Sequence, residues 1–153
     1  MKAVDIAGVF SSRFHERTGA EIDEMKLHKM LYLAQRESLI RTGNALYPEL
    51  IRAWKYGPVV VEVRTAFRRH AIPRDVLCDR SDEAGVLDYV FNTYADKNSW
   101  SLSRLTHAEY SWQHAIASDP SGVGNPVMAL ADIAVDARRV AQRRAALCAL
   151  GLA

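Results

Sequence analysis

Cysteine is scarce in this sequence, and its two copies, Cys78 and Cys148, stand far apart with no CxxC or other ligand spacing. A disulfide framework and a cysteine-built zinc site are therefore not encoded, and a reduced, cytoplasmic protein is the simplest expectation. Long hydrophobic runs are missing too. No run of about 18 apolar residues exists to span a membrane. Asp5, Arg13 and His15 interrupt the N-terminal stretch where a signal peptide needs a continuous apolar core. Neither sign of charge dominates: 20 Lys and Arg against 18 Asp and Glu leave a net +2. That is too little to argue for nucleic-acid or membrane binding by itself. The positive charge comes mainly as arginine, 15 of the 20, whose fork suits bidentate carboxylate or phosphate pairing; high-GC codon usage gives the same bias. Internal repeats, low-complexity tracts and dividing linkers are absent, so residues 1–153 are expected to form one globular domain.

What is present is mostly helical patterning. Ala3, Ile6, Ala7, Phe10 and Phe14 fall at helical spacing over residues 3–17, with Gly19 as a stop. Asp23 caps a second helix that runs to about Thr42, and its middle, Met30 to Ala34, is apolar all round, as in a central helix. Leu50 to Trp54 alternates like a short strand. After it, Gly57-Pro58 fits a break followed by a helix with proline in its first turn, burying Val59, Val60, Val63 and Phe67. The β-branched valines also fit a strand, but the helix places Arg64, Arg68 and Arg69 on a solvated side. Ser81 is expected to cap a helix burying Val86, Leu87, Val90, Phe91 and Tyr94, which Lys97-Asn98 closes. Ser101 then caps a short helix with Leu102 and Leu105, and a further turn carries Trp112, Ala115 and Ile116. Asp119 to Pro126 reads as a loop. A last helix runs from about Pro126 to Leu147, with Leu130, Ile133, Ala137, Val140 and Leu147 inward. The expected fold is mainly α: a single compact helical domain of about six helices with at most a small β-strand pair. The apolar tail at about 148–153 either packs on the core or stays accessible, in the manner of ends that bacterial unfoldase proteases engage; Gly151 is expected to fray it.

The search for catalytic chemistry is largely negative. No two of the five histidines stand at i, i+4 for a metal, no Gly-x-Ser-x-Gly elbow occurs, and neither cysteine has a nucleophile's setting. His107 and His114, near Glu109 and Asp119, leave a metal-dependent or hydrolytic site as a minor alternative to capping roles. Gly122-Val123-Gly124 lacks the strand and the Lys-Ser/Thr of a phosphate loop. Arg138, Arg139, Arg143 and Arg144 against Asp136 form a basic patch, read as a solvated helix face or a weak DNA contact. No helix-turn-helix pattern supports the DNA reading. No cofactor, metal or membrane partner is expected, and nucleic acid is not the favoured partner.

Two segments carry a specific signature: Lys26-Leu-His-Lys-Met-Leu-Tyr32, and Ala53-Trp-Lys-Tyr-Gly-Pro-Val59 followed by Val63. Together they resemble the Panacea domain, the family of SocA-like antitoxins and phage-associated GepA-like proteins. Leu102, Leu105, Thr106, His107 and Glu109, then Trp112 and Ala115, resemble its downstream motif, and Asn125-Pro126 resembles the step before its last helix. The likeness spans about residues 5 to 145. His28 stands where Gln is common, Ser111 where Pro often precedes the tryptophan, and Arg64 where an aromatic is frequent.

The resemblance implies an antitoxin that neutralises a cognate toxin protein by direct binding. In SocA-like members it further implies an adaptor that delivers the toxin to the ClpX/ClpXP protease. The alternatives are a DNA-binding autorepressor of its own operon, although the extra DNA-binding module of some relatives is not expected here, and a metal-dependent enzyme. The partner-binding residues expected are Lys26, Lys29, Trp54, Lys55, Tyr56, His107, Glu109 and Trp112. Of these, Lys26, Lys29 and Lys55 are read as exposed or pairing groups, the aromatics as interface anchors, and His107 with Glu109 as helix-capping residues near the same groove. Leu27, Leu31, Tyr32, Gly57, Pro58 and Val59 are read as the structural part of the motif, with Gly57-Pro58 shaping the chain.

Overall fold

The computed structural model describes residues 1–152. Its organising element is α2 (Glu24–Thr42), in which every residue from Lys26 to Ser38 is buried. Burial on all sides requires neighbours on all sides, and α1 (Ala3–Thr18), α4 (Ser81–Tyr94), α5 (Ser99–His107), α7 (Leu130–Ala149) and a β-hairpin all pack against it. Asp23 opens α2 by accepting from the Lys26 amide at 2.9 Å. Gly43, at φ +73°, ends it in the left-handed conformation that glycine adopts without strain. The apolar face expected of α4, from Val86 to Tyr94, is buried against this core. The described residues form seven helices and a two-stranded sheet, a mainly α fold.

The segment around Gly57-Pro58 differs from expectation. Gly57–Val60 is strand β2, antiparallel to β1 (Ile51–Trp54), and the helix α3 (Val61–Arg68) begins only afterwards. Proline is tolerated in β2 because Pro58 faces Ala53, whose N–H points away from β2 and donates to Pro126 O at 2.8 Å. The pair is thus a non-hydrogen-bonded one, and no ladder bond is lost to the missing proline N–H. The outer edge of β1 is also taken. Met128 N donates to Ile51 O at 2.8 Å, and Arg52 bridges Val127. Residues 126–128 are therefore extended, and α7 starts at Leu130 rather than at Pro126.

Smaller corrections follow the same logic of long-range contacts. Asn98 caps α5 by accepting from Ser101 N at 2.8 Å, so Ser101 lies inside the helix instead of capping it. Ser81 is the first residue of α4, and Arg80 holds the cap position without a side-chain bond. On α7, Ile133 and Ala137 are buried as expected, whereas Leu130 and Leu147 are exposed. The helix continues through Ala149, and every residue from Ala145 to Leu152 is exposed. Gly151 does not fray this end. At φ +70° it closes a Schellman motif in which Leu152 N donates to Leu147 O at 2.9 Å and Gly151 N to Cys148 O at 3.0 Å. Ala153, the last residue of the expected tail, lies outside the described residues. No helix among the described residues is long and apolar enough to cross a membrane.

Candidate functional site

The two signature segments meet where α2 passes beneath the hairpin. Lys29 is almost fully buried, and its Nζ donates to Pro58 O at 3.3 Å. Burial pulls its pKa down to about 8, with the charges of Asp23 and Glu24 acting in the opposite direction. Gly57 lies directly above it at φ +118°, and a Cβ there would come within 2.6 Å of Lys29 Cε. Glycine is thus required both by backbone conformation and by the closeness of the lysine. One residue earlier, His28 Nδ1 accepts from Val60 N at 3.3 Å, so this ring nitrogen must be unprotonated. Burial, then the charges of Lys29 and Arg64, push the His28 pKa down to about 3. Its Nε2 lies 3.6 Å from Glu24, which is already held by Arg64 at 2.9 Å.

Other polar residues of α2 are fasteners as well. Lys26 Nζ donates to Ala95 O at 2.8 Å and sits 5.0 Å from the centre of the Phe14 ring, holding the end of α4. A cation at that position also suits the negative end of the helix dipole. Gln35 accepts from Leu46 N at 2.7 Å and donates to Tyr47 O at 3.0 Å, fixing the chain that leads to β1. Of the two roles expected for Lys26 and Lys29, exposed or pairing, both take the pairing one, and neither is exposed. Leu27, Leu31, Tyr32 and Val59 are buried, as their structural role requires.

The exposed face of this arrangement is aromatic. Lys55 and Tyr56 form the two-residue turn, with Lys55 Nζ 5.4 Å from the centre of the Tyr56 ring. Tyr56 is 49% exposed and meets Trp100, 58% exposed, edge to face at 5.6 Å. Ser103 anchors the turn to α5 by donating to Tyr56 O at 2.6 Å. Beside the turn, Trp112 donates from Nε1 to Trp54 O at 3.0 Å and stacks on His107 at 4.1 Å. The Arg64 guanidinium covers the half-buried Trp54 ring at 4.7 Å. Trp54, Lys55, Tyr56, His107 and Trp112 are therefore brought together. Trp100 completes the surface without having been singled out in the sequence, where its only signal is an aromatic beside the Asn98 cap.

Glu109 belongs elsewhere. It holds the N-cap position of α6 (Tyr110–Ala117) but makes no capping bond; its carboxylate pairs with the buried Arg36. Burial raises the Glu109 pKa to about 7 against the pull of Arg36, and neighbouring Asp136 adds to the rise. Asp136 itself caps α6, accepting from Tyr110 N and Ser111 N at 2.8 Å each, and takes a third bond from Tyr32 OH at 3.4 Å. The expected capping by His107 and Glu109 is thus performed by a carboxylate of α7. His114 pairs with Asp132 at 2.7 Å and stacks on Tyr110 at 5.2 Å. Among the described residues, no three His, Cys, Asp or Glu side chains converge as a metal site.

No curated protein and no solved structure matches the chain. A family model does: it covers residues 27–113, more than half of the sequence, and takes in the first signature segment from Leu27 onward, the whole of the second, the hairpin turn and Trp112. With Lys29 of α2 and the Gly57-Pro58 strand start joined as one structural unit, the chain belongs to the antitoxin SocA-like, Panacea domain family.

Proposed function

We propose that this protein neutralises a cognate toxin by binding it directly, with Lys55, Tyr56 and Trp100 at the centre of the contact. Family membership supports an antitoxin-type role and implies a toxin partner. The observation that carries the choice of surface is the exposed edge-to-face pair of Tyr56 and Trp100 on a hairpin turn anchored to α5. Large rigid aromatics lose little conformational entropy on binding and dominate interface energetics. Co-expression with the product of the neighbouring gene tests the reading. The wild-type chain is expected to rescue growth. Tyr56→Ala and Trp100→Ala, which remove exposed rings, are each expected to weaken binding by about 2 kcal/mol, roughly thirtyfold. Absence of rescue by the wild type would reject the antitoxin reading, and full affinity in both variants would reject the surface.

A second observation favours delivery to the ClpXP protease as the finer reading. The apolar end of α7, with Leu147, Leu150 and Leu152 exposed, is accessible to an unfoldase. Delivery predicts a shorter toxin half-life when both this protein and ClpXP are present. An unchanged half-life leaves sequestration.

A further inference from the structure

Between α2, α4, α5 and α7 lies a cavity of about 410 Å³ that shares no residue with the hairpin surface. Arg36 lies nearly buried in its lining. One Nη pairs with Glu109, the other donates to Tyr94 OH at 3.3 Å, and Nε has no partner among the described residues. Leu105, Val140 and Leu147 give the cavity an apolar wall. Its rim is a run of arginines on α7: Arg139, Arg143 and Arg144. Helical spacing puts Arg139 and Arg143 on one line, with Val140, Arg144 and Leu147 on the next.

The charges lining this cavity do not balance. The four arginines face two carboxylates, Glu109 and Asp136. Both carboxylates are occupied inside the fold, by Arg36 and by the α6 cap. At the rim, Arg144 is held by Glu37 at 3.0 Å. Arg139 only stacks over Tyr110 at 5.2 Å, and Arg143 has no ion pair or hydrogen bond among the described residues. Two guanidinium groups are thus left for an outside anion, next to an apolar wall.

We propose that this cavity receives an acidic segment of a partner protein, one carboxylate side chain lying at Arg139 and Arg143 and a flanking apolar side chain resting on Leu105, Val140 and Leu147. Charge complementarity selects the acid, since guanidinium forks pair with carboxylates in two-point geometry. The two interior carboxylates disfavour a nucleic-acid backbone, whose closely spaced phosphates they repel. The inference is independent of whether the hairpin surface contacts the toxin.

The test titrates the full chain, observed by amide chemical shifts, with the capped peptide Leu-Glu-Asp-Leu-Glu-Leu and its neutral counterpart Leu-Gln-Asn-Leu-Gln-Leu. The acidic peptide is expected to shift the amides of Leu105, Ala108, Val140 and Leu147. Arg139→Glu with Arg143→Glu is expected to weaken it at least about tenfold. Arg143→Gln serves as a milder variant should the double reversal disturb the fold, and at least a threefold loss is expected of it. Equal binding of the neutral peptide, or shifts centred on the hairpin, would overturn the proposal. So would tighter, steeply salt-dependent binding of a short DNA duplex in place of the acidic peptide.

Discussion

At the scale of single residues, Lys29 shows most directly how the signature works. A buried ammonium costs free energy unless an acceptor meets it, and Pro58 O is that acceptor. Proline is apt there because its carbonyl is free to serve α2 while its missing N–H faces away from the β1 ladder. The lysine is charged in the unfolded chain up to its ordinary value of 10.5, but in the fold it gives up its proton near 8. Between these values the unfolded state binds more protons, so this group makes stability rise as pH climbs from about 8 to 10.5. Lys29→Met keeps the apolar stem and is expected to lose that slope in urea titrations across the interval. Comparing variant with wild type separates the lysine from Tyr32 and Tyr47, whose buried hydroxyls hold their protons well above the usual range. Retention of the full slope in the variant would show that another group titrates. The lysines, Tyr56 and Gly57-Pro58 were all legible as a motif. Their division into buried fasteners and exposed contacts was not, because burial depends on which segments close over α2.

At the scale of elements, local signals named most helices correctly and failed where a distant segment decides. Asp23, Gly19 and Gly43 are end signals read within a few residues of the helix they bound, and they sit where expected. Gly57-Pro58 carries equally good local signs of a helix start. It becomes a strand because β1 offers it a ladder and His28 accepts from Val60 N. Residues 126–128 are extended for the same kind of reason, being held on the free edge of β1. The start of α6 is the clearest case. Its cap is Asp136, 26 residues beyond Tyr110 in the chain, and no pattern in the sequence joins them. Asp136→Asn keeps an acceptor for one amide but removes the charge at the positive end of the helix. Asp136→Ala removes both acceptors and leaves Tyr32 OH with Ser111 alone. The expected losses in stability, measured by urea unfolding, are about 1 kcal/mol for Asn and about 2–3 kcal/mol for Ala. An alanine variant as stable as wild type would show that solvent replaces the carboxylate.

At the scale of the whole molecule, one end is built differently from the rest. The core closes around α2, yet from Ala145 onward α7 extends beyond it with an apolar, capped terminus. Deleting residues 148–153 is expected to change unfolding free energy by no more than about 0.5 kcal/mol, since residues 148–152 are all exposed. If the end is what a protease engages, the same deletion lengthens toxin half-life in the presence of ClpXP without changing affinity. A large loss of stability would instead show that the tail supports the fold. The closure around α2 has its own consequence, which concerns time. Its amides from Lys26 to Ser38 have no solvent-facing side along which a partial opening could begin. Their hydrogen exchange is therefore expected to proceed only through global unfolding, with the hairpin and the end of α7 exchanging first. The helix that carries half of the family signature thus acts as the molecule's clock: a toxin bound at the hairpin would slow exchange there, while the α2 rates would report how long the whole fold survives.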